Sequence, residues 1–184
     1  MSLRSKTIVL VAALTVAASP AFADDIVRDA ALIETVEIEG VTLAMSPQEA
    51  LEHLLASGYS AGDITSFDAW DGYNISLVRG SYTEPQGESW VSLDRRGGRL
   101  VAISESFNRT RGDLFEPDEE IGAVQSHFSI AADDPKCHVN DFNTGSCEVR
   151  DAADDEDVDL VFSMTAQATM IMRSASRTQQ LGFE

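Results

Sequence analysis

A chain of 184 residues with 31 acidic and 13 basic side chains carries a formal charge of −18 at pH 7. Such a surface repels nucleic acid and anionic lipid, which are held by neutralising phosphate with Lys and Arg; no nucleic-acid partner is expected, and a charged partner would be basic. The 43% hydrophobic content excludes general disorder, and the length suits one domain or two very small ones.

The N-terminus has Arg4 and Lys6, an apolar run from Thr7 to Ala18, and Ala21-Phe22-Ala23 ahead of Asp24. This is the pattern of a secretory signal cleaved after Ala23. The run is too short for a membrane span, which needs about 20 apolar residues. Residues 1–23 hold Arg4 and Lys6 and no acid, so their removal moves the net charge from −18 to −20. The expectation is an exported protein with no transmembrane segment in its mature form, placed in a periplasm.

Asp24 to Thr35 reads as a lead-in or short helix, and Val36 to Leu43 alternates like a strand. Ser46-Pro47-Gln48-Glu49 is a capping box with Pro at the first helical position. Ala50, Leu51, Leu54 and Leu55 form a helical stripe, and Gly58 ends it, giving a helix from Pro47 to about Ser57. After a polar link come strands at Tyr73–Val78, Trp90–Asp94 and Arg99–Phe107, the last two joined by a tight turn at Gly97-Gly98. Pro117 opens a second helix to about Phe128, with acids in its first turn and Ile121, Val124 and Phe128 on its buried side. Short strands follow around Cys137, at Cys147–Arg150, at Asp159–Thr165 and at Ala168–Ser174. The predicted organisation is a signal at 1–23, a first helix-plus-sheet unit at 24–112, a second at 113–176 and a frayed tail at 177–184. The fold class is α+β, with two small units that each pack one helix on an antiparallel sheet.

Several motifs invite chemistry. Gly58-Tyr59-Ser60-Ala61-Gly62 matches the nucleophile elbow of serine hydrolases, with His127 and His138 downstream. That elbow runs from strand into helix, whereas here a helix leads into Gly58, which serves as its stop. The run Asp154 to Asp159 offers Asp155, Asp157 and Asp159 as weak calcium candidates, but it lacks the central glycine and distant glutamate of a calcium loop. His138 beside Cys137 lacks a fourth zinc ligand. Met164, Met170 and Met172 read as core filler. Cys137 and Cys147 lack a Cys-x-x-Cys spacing, and export favours their pairing, so they are expected to form a disulfide across a hairpin turning at Asn143-Thr144-Gly145. No catalytic residue and no cofactor is expected.

The run from Ile38 to Tyr59, with Met45-Ser46-Pro47-Gln48-Glu49 leading into a helix that stops at Gly58, resembles the opening of BamE (SmpA/OmlA) envelope domains. The turn from Asp94 to Arg99 echoes their hairpin, although Ala44 stands where a glycine is usual and the lipidated cysteine is missing. A helix-plus-sheet pair is similar to the arrangement of β-lactamase inhibitor protein, and Gly58-Tyr59, Tyr73–Val78 and Gly98–Ile103 are similar to a PepSY domain. The resemblance covers about residues 36–107 and implies a binding module. The expected function is therefore a non-catalytic exported protein that binds, scaffolds or inhibits another envelope protein, with Tyr59, Trp70, Tyr73 and Trp90 as candidate aromatic anchors. The alternatives are a small hydrolase using Ser60 and a weak calcium-binding protein using residues 151–159.

Overall fold

The computed structural model describes residues 21–67, 72–81, 84, 87–109, 114–151 and 160–177, with the backbone alone described for 21–27, 62–67 and 72–73. Three helices, α1 (Ala21–Thr35), α2 (Pro47–Ala56) and α3 (Pro117–Phe128), accompany eight strands. The strands are β1 (Ser60–Phe67), β2 (Gly72–Gly80), β3 (Glu88–Arg96), β4 (Arg99–Asn108), β5 (Cys137–Val139), β6 (Gly145–Arg150), β7 (Leu160–Gln167) and β8 (Met170–Arg177).

The α+β class stands, but the two separate units do not. One antiparallel sheet runs β1-β2-β3-β4-β8-β7-β6-β5. Strands β1 to β4 form one meander and β5 to β8 another, and the last strands of the two pair from Ala102↔Ser176 to Asn108↔Met170. The physical reason lies in the edges. An unpaired β4 or β8 would leave a row of backbone donors and acceptors open, and pairing satisfies both rows at once. It also brings Ile103 against Ala175, both fully buried.

Strand alternation sends one side chain in two toward the helices. In β7 the buried set is Leu160, Phe162, Met164 and Ala166. Phe128 of α3 stacks on Phe162 with ring centroids 5.2 Å apart. Gly145 of β6 allows α3 to lie close, since a Cβ there would meet Ile121 Cγ1 at 2.5 Å. Ile33 of α1 and Leu54 of α2 are fully buried in the same core. All three helices thus lie on one face of the sheet, and among the described residues no helix covers the other, here called the open face.

The capping box of α2 forms as the sequence indicates: Glu49 N donates to Ser46 Oγ at 3.2 Å, and Ser46 N donates to Glu49 Oε2 at 2.9 Å. The Ser46 contacts hold the Glu49 carboxyl below its ordinary range. Its contribution is therefore present at neutral pH and lost as the solution is acidified through the lowered value. Ser46→Ala is expected to lower stability by about 1 kcal/mol in a urea titration, without changing the slope.

Two expectations needed revision. Val36 to Leu43 is not a ladder strand; it holds a single bridge, Ile38↔Val41. Glu39 (φ 51°) and Gly40 (φ 76°) are both left-handed and reverse the chain at once, so these apolar residues are buried by packing and not by pairing. Gly40 has a second constraint, because a Cβ would stand 2.4 Å from His53 Nε2. The polar link after Gly58 is in fact edge strand β1, irregular in register between Ala61 and Ile64. An edge strand pairs on one side only, and a sequence as polar as Ser60–Phe67 shows no strong alternation to announce it.

Cys137 and Cys147 form the expected disulfide, directly opposite each other on β5 and β6 with Cα atoms 4.1 Å apart. Replacing both by Ala is expected to lower stability by about 2–3 kcal/mol in denaturant, the closure entropy of a short loop.

Candidate functional site

The open face is assembled by register. Ser76, Ser92, Ser104, Ser174 and Ser163 are successive cross-strand partners on β2, β3, β4, β8 and β7, so five hydroxyls stand in one row across the sheet. These five side chains carry no charge, in a chain of net charge −18, and the next partner beyond Ser163 is Glu148 on β6. The neighbouring row is Trp90, Ser106, Met172, Thr165 and Ser146. Trp90 is 45% exposed and Met172 41% exposed. Together these rows line a cleft of about 440 Å³.

Serine side chains are short, so the indole and the thioether rise above them and border a trough floored by hydroxyls. Each hydroxyl can donate once and accept twice, and it rotates to suit its partner. Some of that capacity is already used: Ser163 and Ser174 share a hydrogen bond of 2.8 Å, and Asn74 Nδ2 donates to Ser92 Oγ at 2.6 Å. A rigid aromatic beside small adaptable hydroxyls is the combination that protein-binding surfaces use.

Beneath this face, at the seam between the meanders, lies a buried polar network. Glu105 on β4 and Arg173 on β8 are direct partners in register. The Glu105 side chain is fully buried, and its Oε2 accepts from Arg173 Nε at 2.9 Å and Nη2 at 2.5 Å. Ser89 Oγ lies 3.4 Å from the other oxygen, Oε1, and 2.6 Å from the Tyr59 hydroxyl. Glu39 approaches the same carboxyl while its Oε2 accepts from Arg79 Nη2 at 2.8 Å. Burial pushes Glu105 above the ordinary carboxylate range, opposed by the attraction of Arg173. Burial also pushes the Tyr59 hydroxyl up to about 12.

The candidate aromatics therefore divide. Trp90 stands on the open face. Tyr59 is 3% exposed, with Arg79 stacked 4.5 Å from its ring and its hydroxyl bonded to Ser89, so it is a core residue. Tyr73 lies on β2 opposite Arg95, described as backbone, and Trp70 lies outside the described residues. Met164 fills core as expected, whereas Met172 lies on the open face.

Ser60 is exposed at the start of β1, preceded by a helix and followed by a strand. His138 is on β5, at the opposite edge of the sheet, roughly 30 Å away at the usual strand spacing. His127 is on α3, which packs toward β5, β6 and β7, and His53 lies over Gly40. Among the described residues no hydrogen bond joins Ser60 to a histidine, and the geometry does not bring Ser60, His127 and His138 together. His138 instead meets Ser146 Oγ at 3.3 Å.

Asp155, Asp157 and Asp159 lie outside the described residues. Just before that segment Asp151 is buried, and its Oδ1 accepts from Leu160 N at 2.9 Å. Among the described residues there is no group of three or more His, Cys, Asp or Glu placed to hold a metal ion. Among them, too, no helix is long and apolar enough to cross a membrane.

The serine row had a partial signal in the sequence. Serines fall at non-core positions of five strands, but only the strand order shows that they align. Among the described residues, the fold and this face define an α+β protein with a single antiparallel sheet, covered by helices on one side and by none on the other. No protein-family model, curated protein or solved structure matches the chain.

Proposed function

We propose that this is a non-catalytic exported protein of the periplasm that binds or inhibits another envelope protein through the open sheet face. The observation that carries the reading is the neutral serine row bordered by half-exposed Trp90 and Met172 on a strongly acidic chain. The N-terminal signal pattern supports export, and the resemblance of residues 36–107 to BamE-type domains supports a binding role. An acidic body around a neutral row of hydroxyls favours a partner with basic surroundings, because complementary charge speeds encounter and rejects wrong partners.

Two measurements test it. Intact mass of the protein recovered from a periplasmic fraction is expected to begin at Asp24; retention of residues 1–23 in the cytoplasm contradicts export. Affinity capture from envelope extract is expected to recover a protein whose retention falls with Ser104→Arg and not with Leu55→Arg on helix α2. Equal retention by both variants contradicts a role for the open face.

A further inference from the structure

The β5–β6 hairpin is built more firmly than its length requires. Its arms are joined by the Cys137–Cys147 disulfide. At the tip, Asn140 Oδ1 accepts from Phe142 N at 2.9 Å and from Thr144 N at 3.1 Å. The Asn140 backbone bonds to Thr144 O and accepts from Asn143 N, both at 3.0 Å, and Asn143 takes the left-handed conformation at φ 54°. Gly145, where the hairpin re-enters the sheet, is held against Ile121 of α3. This scaffold holds out Phe142, which is 88% exposed, beside the exposed Asp141.

An apolar ring left in water by a flexible loop could fold back onto the protein. Here the disulfide and the Asn140 bonds prevent that, and the loop entropy that binding would otherwise cost is already spent in folding. The ring is the right size for an anchor residue, the kind that fills a pocket on a partner while its surroundings exclude water. Asp141 and the net charge of −18 argue against anionic lipid and against a second copy, since either brings like charges together.

We propose that Phe142 is a preorganised docking anchor that inserts into an apolar pocket rimmed by basic side chains on a partner protein. The observation is separate from the open face, and the two fail separately.

The test places a photo-crosslinking benzoylphenylalanine at position 142 of the full chain in cells. The expected result is a discrete protein adduct; that protein, once identified and purified, is titrated against variants of unchanged melting temperature. Phe142→Ala is expected to weaken binding about tenfold or more, with Phe142→Tyr retaining most of the affinity and Asp141→Lys weakening it in a salt-dependent way. Failure to obtain a discrete adduct, or equal affinity of Phe142→Ala and the wild type, overturns the proposal. So does Phe142-dependent binding to phosphatidylethanolamine–phosphatidylglycerol vesicles, which would assign the tip to a membrane. Phe142-dependent self-association in sedimentation would assign it to a second copy and likewise overturns it. If Trp90→Ala abolishes binding to the same protein and Phe142→Ala does not, the open-face reading stands and this one falls.

Discussion

Arg173→Met is expected to destabilise the protein by roughly 3 kcal/mol near pH 8, and by much less near pH 5. The substitution keeps most of the side-chain volume but removes the cation from a carboxylate that has no exposure to water. Glu105 is then left with Ser89, whose hydroxyl is also bonded to Tyr59, and with a second carboxyl from Glu39. Neither compensates a buried negative charge, so Glu105 must pick up a proton, and at high pH that costs free energy.

The sign follows from linkage. Glu105 already sits above the ordinary carboxylate range in the folded protein, chiefly through burial. Its contribution is therefore fully present below the unfolded-state value and is lost as pH rises through the raised one. Removing Arg173 raises that value further and widens the window of loss. Urea titrations of wild type and Arg173→Met across that pH range measure the difference. The double change Glu105→Gln with Arg173→Met is expected to recover most of the loss and to flatten its pH dependence, because no charge remains to bury. A pH-independent deficit in Arg173→Met would mean that Arg173 acts through packing and not through Glu105. The network matters beyond its own energy, since it joins β3, β4, β8 and the Tyr59 end of α2 at the seam that makes one sheet of two meanders.

Trp90→Ala is expected to weaken partner binding by about 2 kcal/mol or more, roughly thirtyfold, while moving the melting temperature little. The indole is 45% exposed and stands on the face away from the helices, so truncation opens no cavity in the core. Ser104→Arg, in the middle of the serine row, is expected to be at least as damaging to binding. A long charged side chain fills the trough and brings a cation to a surface that is neutral from Ser76 to Ser163. Calorimetric or interferometric titration with the captured partner measures both. A large fall in melting temperature for Trp90→Ala would show that the residue supports the fold and would remove it as an anchor.

What could be read from the sequence was local. Ser46 and Glu49 sit three residues apart and cap a helix wherever that helix packs. Pro117 with three following acids opens α3 for the same kind of reason. The β3–β4 hairpin was legible because Gly97 and Gly98 supply its left-handed turn. The disulfide was legible from the spacing of its cysteines together with an N-terminal pattern that predicts export.

What escaped was set by pairing between distant segments. Glu105 and Arg173 are 68 residues apart, and nothing in either segment marks β4 and β8 as partners. The sequence reads as two helix-plus-sheet units, but β4 joins β8 in one sheet and α1 packs on β6 and β7, so the units do not exist separately. For the same reason the sequence marks Trp90 but not the serine row around it, because the row exists only once five strands are in register. Tyr59 misled in the opposite direction. It follows a helix-stopping glycine, where exposure is common, yet Ser89 and Arg79 from β3 and β2 draw it inward.

The role of the open face is tested most directly by oxidative footprinting of the mature protein with and without the partner captured from the envelope. Trp90 and Met172 are exposed, oxidisable side chains of that face, and Leu55 on α2 is a comparably exposed reference on the helical side. The expected result is strong protection of Trp90 and Met172 with Leu55 unchanged. Protection of Leu55 with Trp90 and Met172 unchanged would contradict the account and move the binding surface to the helices.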